Sequence, residues 1–348
     1  MPPDPFLPHI RRMEGYVPGE QPGDGEFLKL NTNENPYPPS DRVVAALRAA
    51  CGGNLLRYPD PDAVAVLAKL SERFGVPAGQ IVMGNGSDEL LNAALRCFVG
   101  SGQPVAIPFP TYPYYQKLID LQDAAAVRCD LDDDFAIPAG FPPEEARLTL
   151  LANPNSPTGT AVGADAVAEM AERTRGVLLV DEAYVDFSDG GCIGLVERFP
   201  NLLVTRTMSK SFSLAALRIG FAFGSPDLIA GMRKVLDHYN MNSLSQAAAA
   251  AALDDIEGMR ANAARVRRTR QRLTEALRGL GFRVWDSEAN FVLARIGSPP
   301  AEELYLGLKE RRILVRWFSE PRLRDCLRIS VGTDGETDRL LGELEELL

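Results

Sequence analysis

The chain has 348 residues, enough to bury a large core, and its apolar (45%) and charged (24%) fractions are those of an ordinary globular protein. A formal net charge of −10 argues against a nucleic-acid surface, and the two histidines, His9 and His238, are too few for a histidine-rich metal site or a Ser-His-Asp triad. No apolar stretch approaches the roughly 20 residues of a membrane-spanning helix, and five scattered cysteines suggest neither a disulfide framework nor a zinc cluster, so no metal is expected.

The amino terminus, Met1-Pro2-Pro3-Asp4-Pro5-Phe6, lacks the basic start and apolar middle of a secretory signal, so a cytoplasmic protein is expected. Residues 1–40 are rich in Pro, Gly and Asn, and the run Asn31-Thr32-Asn33-Glu34-Asn35-Pro36 reads as a crossing or rim segment. Helices are expected at Asp41–Ala50 and Ala63–Phe74, with a turn at Arg57-Tyr58-Pro59-Asp60-Pro61 between them. Strand and helix patterns then alternate: strand Ile81-Val82-Met83, helix Asp88–Phe98, strand Val105–Ile107, helix Tyr114–Leu121, strand Leu148–Ala152, helix Ala164–Arg173, and strands Val177–Val180, Leu202–Thr205 and Ile219–Phe223. Such alternation predicts an α/β fold with a mostly parallel sheet flanked by helices.

Helices follow at Asp227–Leu236, Leu244–Leu253 and Ile256–Leu280. Then come strands Phe282–Trp285 and Asn290–Ala294, helix Ala301–Arg311, strands Ile313–Trp317 and Leu327–Val331, and a helix from Glu336. We therefore expect a large domain over residues 41–255, a smaller α+β domain over 256–348, and a leader, 1–40, that contributes to the small domain and to a dimer contact.

Four segments carry chemistry. Gly84-Asn85-Gly86-Ser87-Asp88-Glu89 joins an apolar run to a helix, so its amides suit an anion such as phosphate, although Glu89 spoils a dinucleotide fingerprint. Asn153-Pro154-Asn155-Ser156-Pro157-Thr158-Gly159 is a rigid loop at a strand's carboxyl end, the edge where open α/β sheets bind ligands. Val177–Val180 runs into Asp181, costly to bury unless a cation pairs with it, and Tyr184 follows three residues later. Val204-Thr205-Arg206-Thr207-Met208-Ser209-Lys210 ends a strand in hydroxyl residues around one lysine. A desolvated lysine can attack an aldehyde as the free amine, which is Schiff-base chemistry; taken alone, Lys210 reads instead as a solvated surface residue.

Together the strings N-x-N-E-N-P, G-N-G-S-D-E, N-P-N-x-P-T-G, D-E-A-Y and S-K-x-F-x-L-A-x-L-R-x-G resemble the fold-type I pyridoxal-phosphate aminotransferases. Among these they most resemble the histidinol-phosphate aminotransferase family, over about Tyr16 to Gly332. The resemblance implies that Lys210 forms the Schiff base with pyridoxal 5'-phosphate and later moves a proton. It implies that Asp181 pairs with the ring nitrogen, that Asn155 and Tyr184 bond the phenolic oxygen, and that Tyr112 stacks on the ring. Ser87, Asp88, Ser209 and Arg218 would hold the phosphate, with Tyr58 reaching in from a second subunit of a homodimer.

For substrate, Arg328 would anchor the α-carboxylate of glutamate. With Arg316 and Tyr16 it would hold the phosphate of histidinol phosphate, Asn155 also lying against the substrate. In both strands period two sets the arginine opposite its apolar neighbours. The implied reaction is ping-pong transfer of an amino group between glutamate and imidazole-acetol phosphate. Relatives with nearly the same motifs transaminate aromatic amino acids or decarboxylate threonine phosphate, and Trp317 and Phe318 leave the aromatic reading open. A non-catalytic regulator that binds the cofactor or an amino acid is a remoter alternative.

Overall fold

The apolar runs of the middle of the chain lie side by side in one seven-stranded sheet. The strand order is Ile81–Asn85, Ile219–Gly224, Leu202–Thr207, Val177–Asp181, Leu148–Ala152, Pro104–Phe109 and Ala125–Asp130. The computed structural model describes residues 4–15, 19–22 and 26–348. From Leu202–Thr207 to Ala125–Asp130 neighbouring strands are parallel, whereas Ile219–Gly224 is antiparallel to both of its neighbours.

Side chains alternate between two cores. Leu178 and Val180 join Val204, Phe221 and Phe223 on one face, while Leu179 joins Leu150, Leu203 and Ala222 on the other. Burial on both faces is why these strands read as unbroken apolar runs. Helices Asp41–Ala50, Val64–Phe74, Ala164–Arg173 and Ser243–Leu253 cover the first face; Ser87–Phe98, Tyr114–Leu121 and Pro226–Arg233 cover the second. Leu70, fully buried in the first core, sets the scale: its truncation to alanine costs about 2 to 5 kcal/mol. Gly75 ends the Val64–Phe74 helix at φ 69°, and the Asn242 side chain caps the alanine-rich helix by accepting from the Ser245 amide.

A second sheet, all antiparallel, has the order Arg316–Trp317, Cys326–Ser330, Phe291–Arg295, Arg283–Val284. It shares a separate core with helices Ile256–Gly279, Ala301–Glu310 and Asp334–Leu347, the last begun by a capping box of Thr333 and Glu336. The leader joins this side, because Leu28–Lys29 pairs parallel with Ile313–Leu314.

Two expectations change. The run Ile313–Trp317 is not one strand; it divides at Val315, its first half pairing with the leader and Arg316–Trp317 with Cys326–Ser330. Ala125–Asp130 is an unexpected strand at the sheet's edge, where four of its six residues are exposed and no apolar pattern marks it.

Candidate active site

The carboxyl ends of the parallel strands open onto a cavity of about 390 Å³ between the two sheets. Asp181, Tyr184, Ser209, Lys210 and Arg218 line it from one side, Arg316, Phe318 and Arg328 from the other, and Asn31 to Asn33 of the leader from a third.

Lys210 lies just past strand Leu202–Thr207. Its Nζ donates to the Thr32 carbonyl at 3.3 Å and sits 5.6 Å from the Tyr184 ring centroid. The turn bearing it is clamped by Asn35, whose Nδ2 donates to the carbonyls of Lys210 and Ser211 at 3.0 and 3.1 Å. Behind it, the Ser211 hydroxyl bonds Asp186, and the buried Glu182 carboxylate pairs with Arg206 at 2.7 Å.

The three leader asparagines each meet a different part of the site. Asn31 offers its carbonyl to Arg328 Nη2 at 2.8 Å, Asn33 donates to the Tyr184 hydroxyl at 3.1 Å, and Asn35 holds the lysine turn. Their spacing of two is visible in the N-x-N-E-N-P string, which does not by itself mark what each asparagine meets.

Opposite the lysine lies an anion cradle. Gly86 (φ 83°) starts helix Ser87–Phe98, so the positive end of that helix faces the cavity through Ser87 and Asp88. Arg218 closes over it, pairing with Asp88 at 3.0 Å and donating to the Ser209 hydroxyl at 3.3 Å. The φ at Gly86 favours glycine, and a Cβ there would stand 2.6 Å from Arg218 Nη2, so the guanidinium would have to move off the cradle. Thr207 adds a further hydroxyl, bonded to Ser209 at 2.9 Å. Glu89, in the third-glycine position, turns away and accepts from Asn240 Nδ2 at 2.8 Å.

Asp181 is only 4% exposed. Its oxygens accept from two neutral hydroxyls, Tyr115 at 3.0 Å and Thr205 at 3.4 Å. Burial pushes the carboxyl up to about 6, with the Asp88 charge adding to the rise and the Tyr115 hydroxyl opposing it. That is a carboxylate placed for a cation. Tyr112 lines the same wall, its hydroxyl 3.4 Å from Asp88.

The Asn153–Thr160 loop corrects one expectation. Asn155 does not face this cavity: its Nδ2 donates to the Pro110 carbonyl and Thr158 hydroxyl at 3.1 and 3.0 Å, its Oδ1 accepts from Thr111, and it lines the adjoining crevice. Ser156, 2% exposed, faces the cavity instead and accepts from Arg328 Nη1 at 3.2 Å. The Asn155 amide holds the loop's shape.

Arg316 and Arg328 both reach the cavity. Trp317 does not line it; its ring stacks near Tyr305 and its Nε1 donates to the Arg324 carbonyl at 2.8 Å. Tyr58 lies elsewhere, 80% exposed and stacked on Tyr239 with ring centroids 4.5 Å apart. Tyr16 falls outside the described residues.

Comparison with known proteins adds to this geometry. Residues 25–344 match the family model for aminotransferases of class I and II. Histidinol-phosphate aminotransferases of Microcystis aeruginosa and Geobacter sulfurreducens are each 45% identical to the chain; the alignments cover 97% of both chains in the first case and 99% in the second. The crystal structure of histidinol-phosphate aminotransferase from Sinorhizobium meliloti, in complex with pyridoxal-5'-phosphate, superposes with a TM-score of 0.91. It covers 99% of this chain and 98% of its own at 27% identity. A mutant Thermus thermophilus aspartate aminotransferase, 19% identical with a TM-score of 0.81 over 99% of both chains, shares the fold alone.

Proposed function

The chain belongs to the class I and II aminotransferases, and from that premise we propose that it is a pyridoxal-phosphate-dependent histidinol-phosphate aminotransferase of histidine biosynthesis. It moves an amino group between glutamate and imidazole-acetol phosphate. The observation that carries this reading is the convergence of Lys210, Asp181 and two arginines on one cavity, in a chain 45% identical to enzymes of that name.

The residues fit the cofactor. Asp181 is a buried carboxylate whose hydrogen-bond partners, two hydroxyls and the Ala183 amide, are all neutral, and a Cβ at Gly86 would enter the cradle of Ser87, Asp88, Ser209 and Arg218. Asp181 would face the ring nitrogen and the cradle would hold the phosphate. When bound, pyridoxal phosphate supplies an electron sink that weakens the substrate's bond between the α-carbon and hydrogen. Lys210 would hold the cofactor through Nζ and would carry the proton to and from the substrate's α-carbon. Tyr184, whose hydroxyl accepts from Asn33, would bond the phenolic oxygen, and Tyr112 would lie against a ring face. Arg328 anchors a carboxylate or phosphate and Arg316 adds the second charge for phosphate, with Tyr16 assigned to the same group.

This arrangement favours an anionic side chain over an aromatic one, because Trp317 is turned away and Phe318 lies beside both guanidinium groups. One cavity serves both substrates in turn, so initial rates at several fixed concentrations of the second substrate give parallel reciprocal plots. Intersecting plots contradict the reading.

We further propose a cytoplasmic homodimer in which Tyr58 enters the partner's cradle. Leu55, Leu56, Tyr58 and Val64 are all exposed in one short stretch, an apolar surface of the kind that a second subunit covers. Among the described residues no helix is long and apolar enough to cross a membrane. The division into residues 41–255 and 256–348 is supported by the strands, since the seven-stranded sheet lies wholly within the first range and the four-stranded sheet wholly within the second.

A further inference from the structure

We propose that Tyr115 is a positioning residue for Asp181, donating to the carboxylate from the protein side and holding it ionised and aimed at the cofactor's ring nitrogen. The inference rests on the functional reading above and adds to it a residue that no motif marked.

Tyr115 lies in the first turn of helix Tyr114–Leu121, fully buried, with its hydroxyl 3.0 Å from Asp181 Oδ2. Its ring meets Tyr112 edge to face, centroids 5.5 Å apart, so a residue of the cavity wall fixes its direction. Burial, and then the Asp181 charge, raise the phenol well above its ordinary range, so it remains protonated. A phenol that keeps its proton beside a carboxylate can only donate to it.

Thr205 Oγ1 approaches the other oxygen at 3.4 Å. Together with the Ala183 amide, these neutral donors hold the carboxylate and leave its charge for a cation. Other titratable groups surround the same cavity: Asp88 opposes ionisation of Asp181, while Tyr112, Tyr184, Lys210 and Arg218 complete the wall. A buried carboxyl that titrates at about 6 stands close to neutral pH. Losing one donor moves its protonation through the range in which the protein works.

The direct test is Tyr115→Phe, which keeps the ring and removes one oxygen. Pyridoxal phosphate is dialysed to equilibrium against the purified cofactor-free chain at a series of pH values. The expected result is binding about tenfold weaker than wild type near pH 6, fading to about equal by pH 9, because the variant's carboxyl holds its proton to higher pH. Thr205→Val should show the same trend with a smaller loss, and it carries the test where Tyr115→Phe does not fold. Unchanged affinity at every pH overturns the inference. So does a loss of the same size at every pH, which would mark a packing defect. A wild-type chain that binds no pyridoxal phosphate overturns the functional reading itself, and this inference with it.

Discussion

Arg316 and Arg328 stand directly opposite each other on antiparallel strands, and the Phe318 ring centroid lies 5.4 Å from one guanidinium carbon and 5.7 Å from the other. Like charges placed across a ladder repel, so the pair is best satisfied by an anion between them. Arg328 has further anchors in Ser156 and the Asn31 carbonyl. Arg316→Ala should therefore raise KM for histidinol phosphate by about 10- to 100-fold and change that for glutamate by less than about threefold. Arg328→Ala should impair both substrates. Equal effects of Arg316→Ala on the two would remove the phosphate role.

Asp181 links catalysis to stability. A carboxyl held at about 6 when folded, above its unfolded value, binds more protons in the native state; stability of the cofactor-free protein therefore falls as pH rises from about 4 to about 6 and stays low above that. Asp181→Asn removes this cost. Urea unfolding of the cofactor-free variant should show a gain on the order of 2 kcal/mol above about pH 6 and little change near pH 4. The same variant should bind pyridoxal phosphate poorly. A cofactor-free variant less stable than wild type at pH 7 contradicts the account.

Gly220 supports the phosphate cradle from the antiparallel strand behind it. A Cβ there would stand 2.4 Å from both the Gly86 carbonyl carbon and the Ser87 amide nitrogen, which are backbone atoms with little room to yield. Gly220→Ala should destabilise the fold by about 1 to 3 kcal/mol and displace the start of helix Ser87–Phe98. Pyridoxal phosphate affinity should fall more than affinity for pyridoxal, which lacks the phosphate. Equal losses for the two compounds would place the damage elsewhere.

Tyr58 gives a test of the dimer. It is exposed and away from its own chain's cavity, so Tyr58→Ala should leave the fold intact while weakening cofactor binding. Mixing that variant with Lys210→Ala, each inactive or nearly so, should restore activity, because one site of each hybrid then has both residues intact. No recovery after subunit exchange, with hybrids verified by mass, would refute the shared site.

Much of the large sheet was legible because parallel strands buried on both faces announce themselves as apolar runs. Leu148–Ala152 and the helix Ala164–Arg173 begin and end where the pattern places them. The edge strand Ala125–Asp130 was not legible, since pairing on one side left its residues mostly outside the core and its sequence unpatterned. At the site, Lys210 and Asp181 could be singled out from where strands stop and loops begin, whereas Arg218 was marked only by the family strings. Which of Asn155 and Ser156 lines the cavity could not be read, because an irregular loop carries no period from which to infer side-chain direction. Tyr115 was invisible for another reason: it reads as a core aromatic of an amphipathic helix until the fold brings Asp181 to its hydroxyl.

The central claim is that Lys210 and the paired arginines transfer an amino group to and from a phosphorylated imidazole substrate. The most direct measurement is a single half-reaction on the cofactor-loaded protein, following loss of the cofactor's lysine-bound absorbance band on mixing with histidinol phosphate, phenylalanine, tyrosine or threonine phosphate. The account predicts rapid bleaching by histidinol phosphate, much slower bleaching by the aromatic amino acids, and no such band in Lys210→Ala. Equal or faster bleaching by phenylalanine and tyrosine would contradict it and make the protein a general aromatic aminotransferase on the same fold.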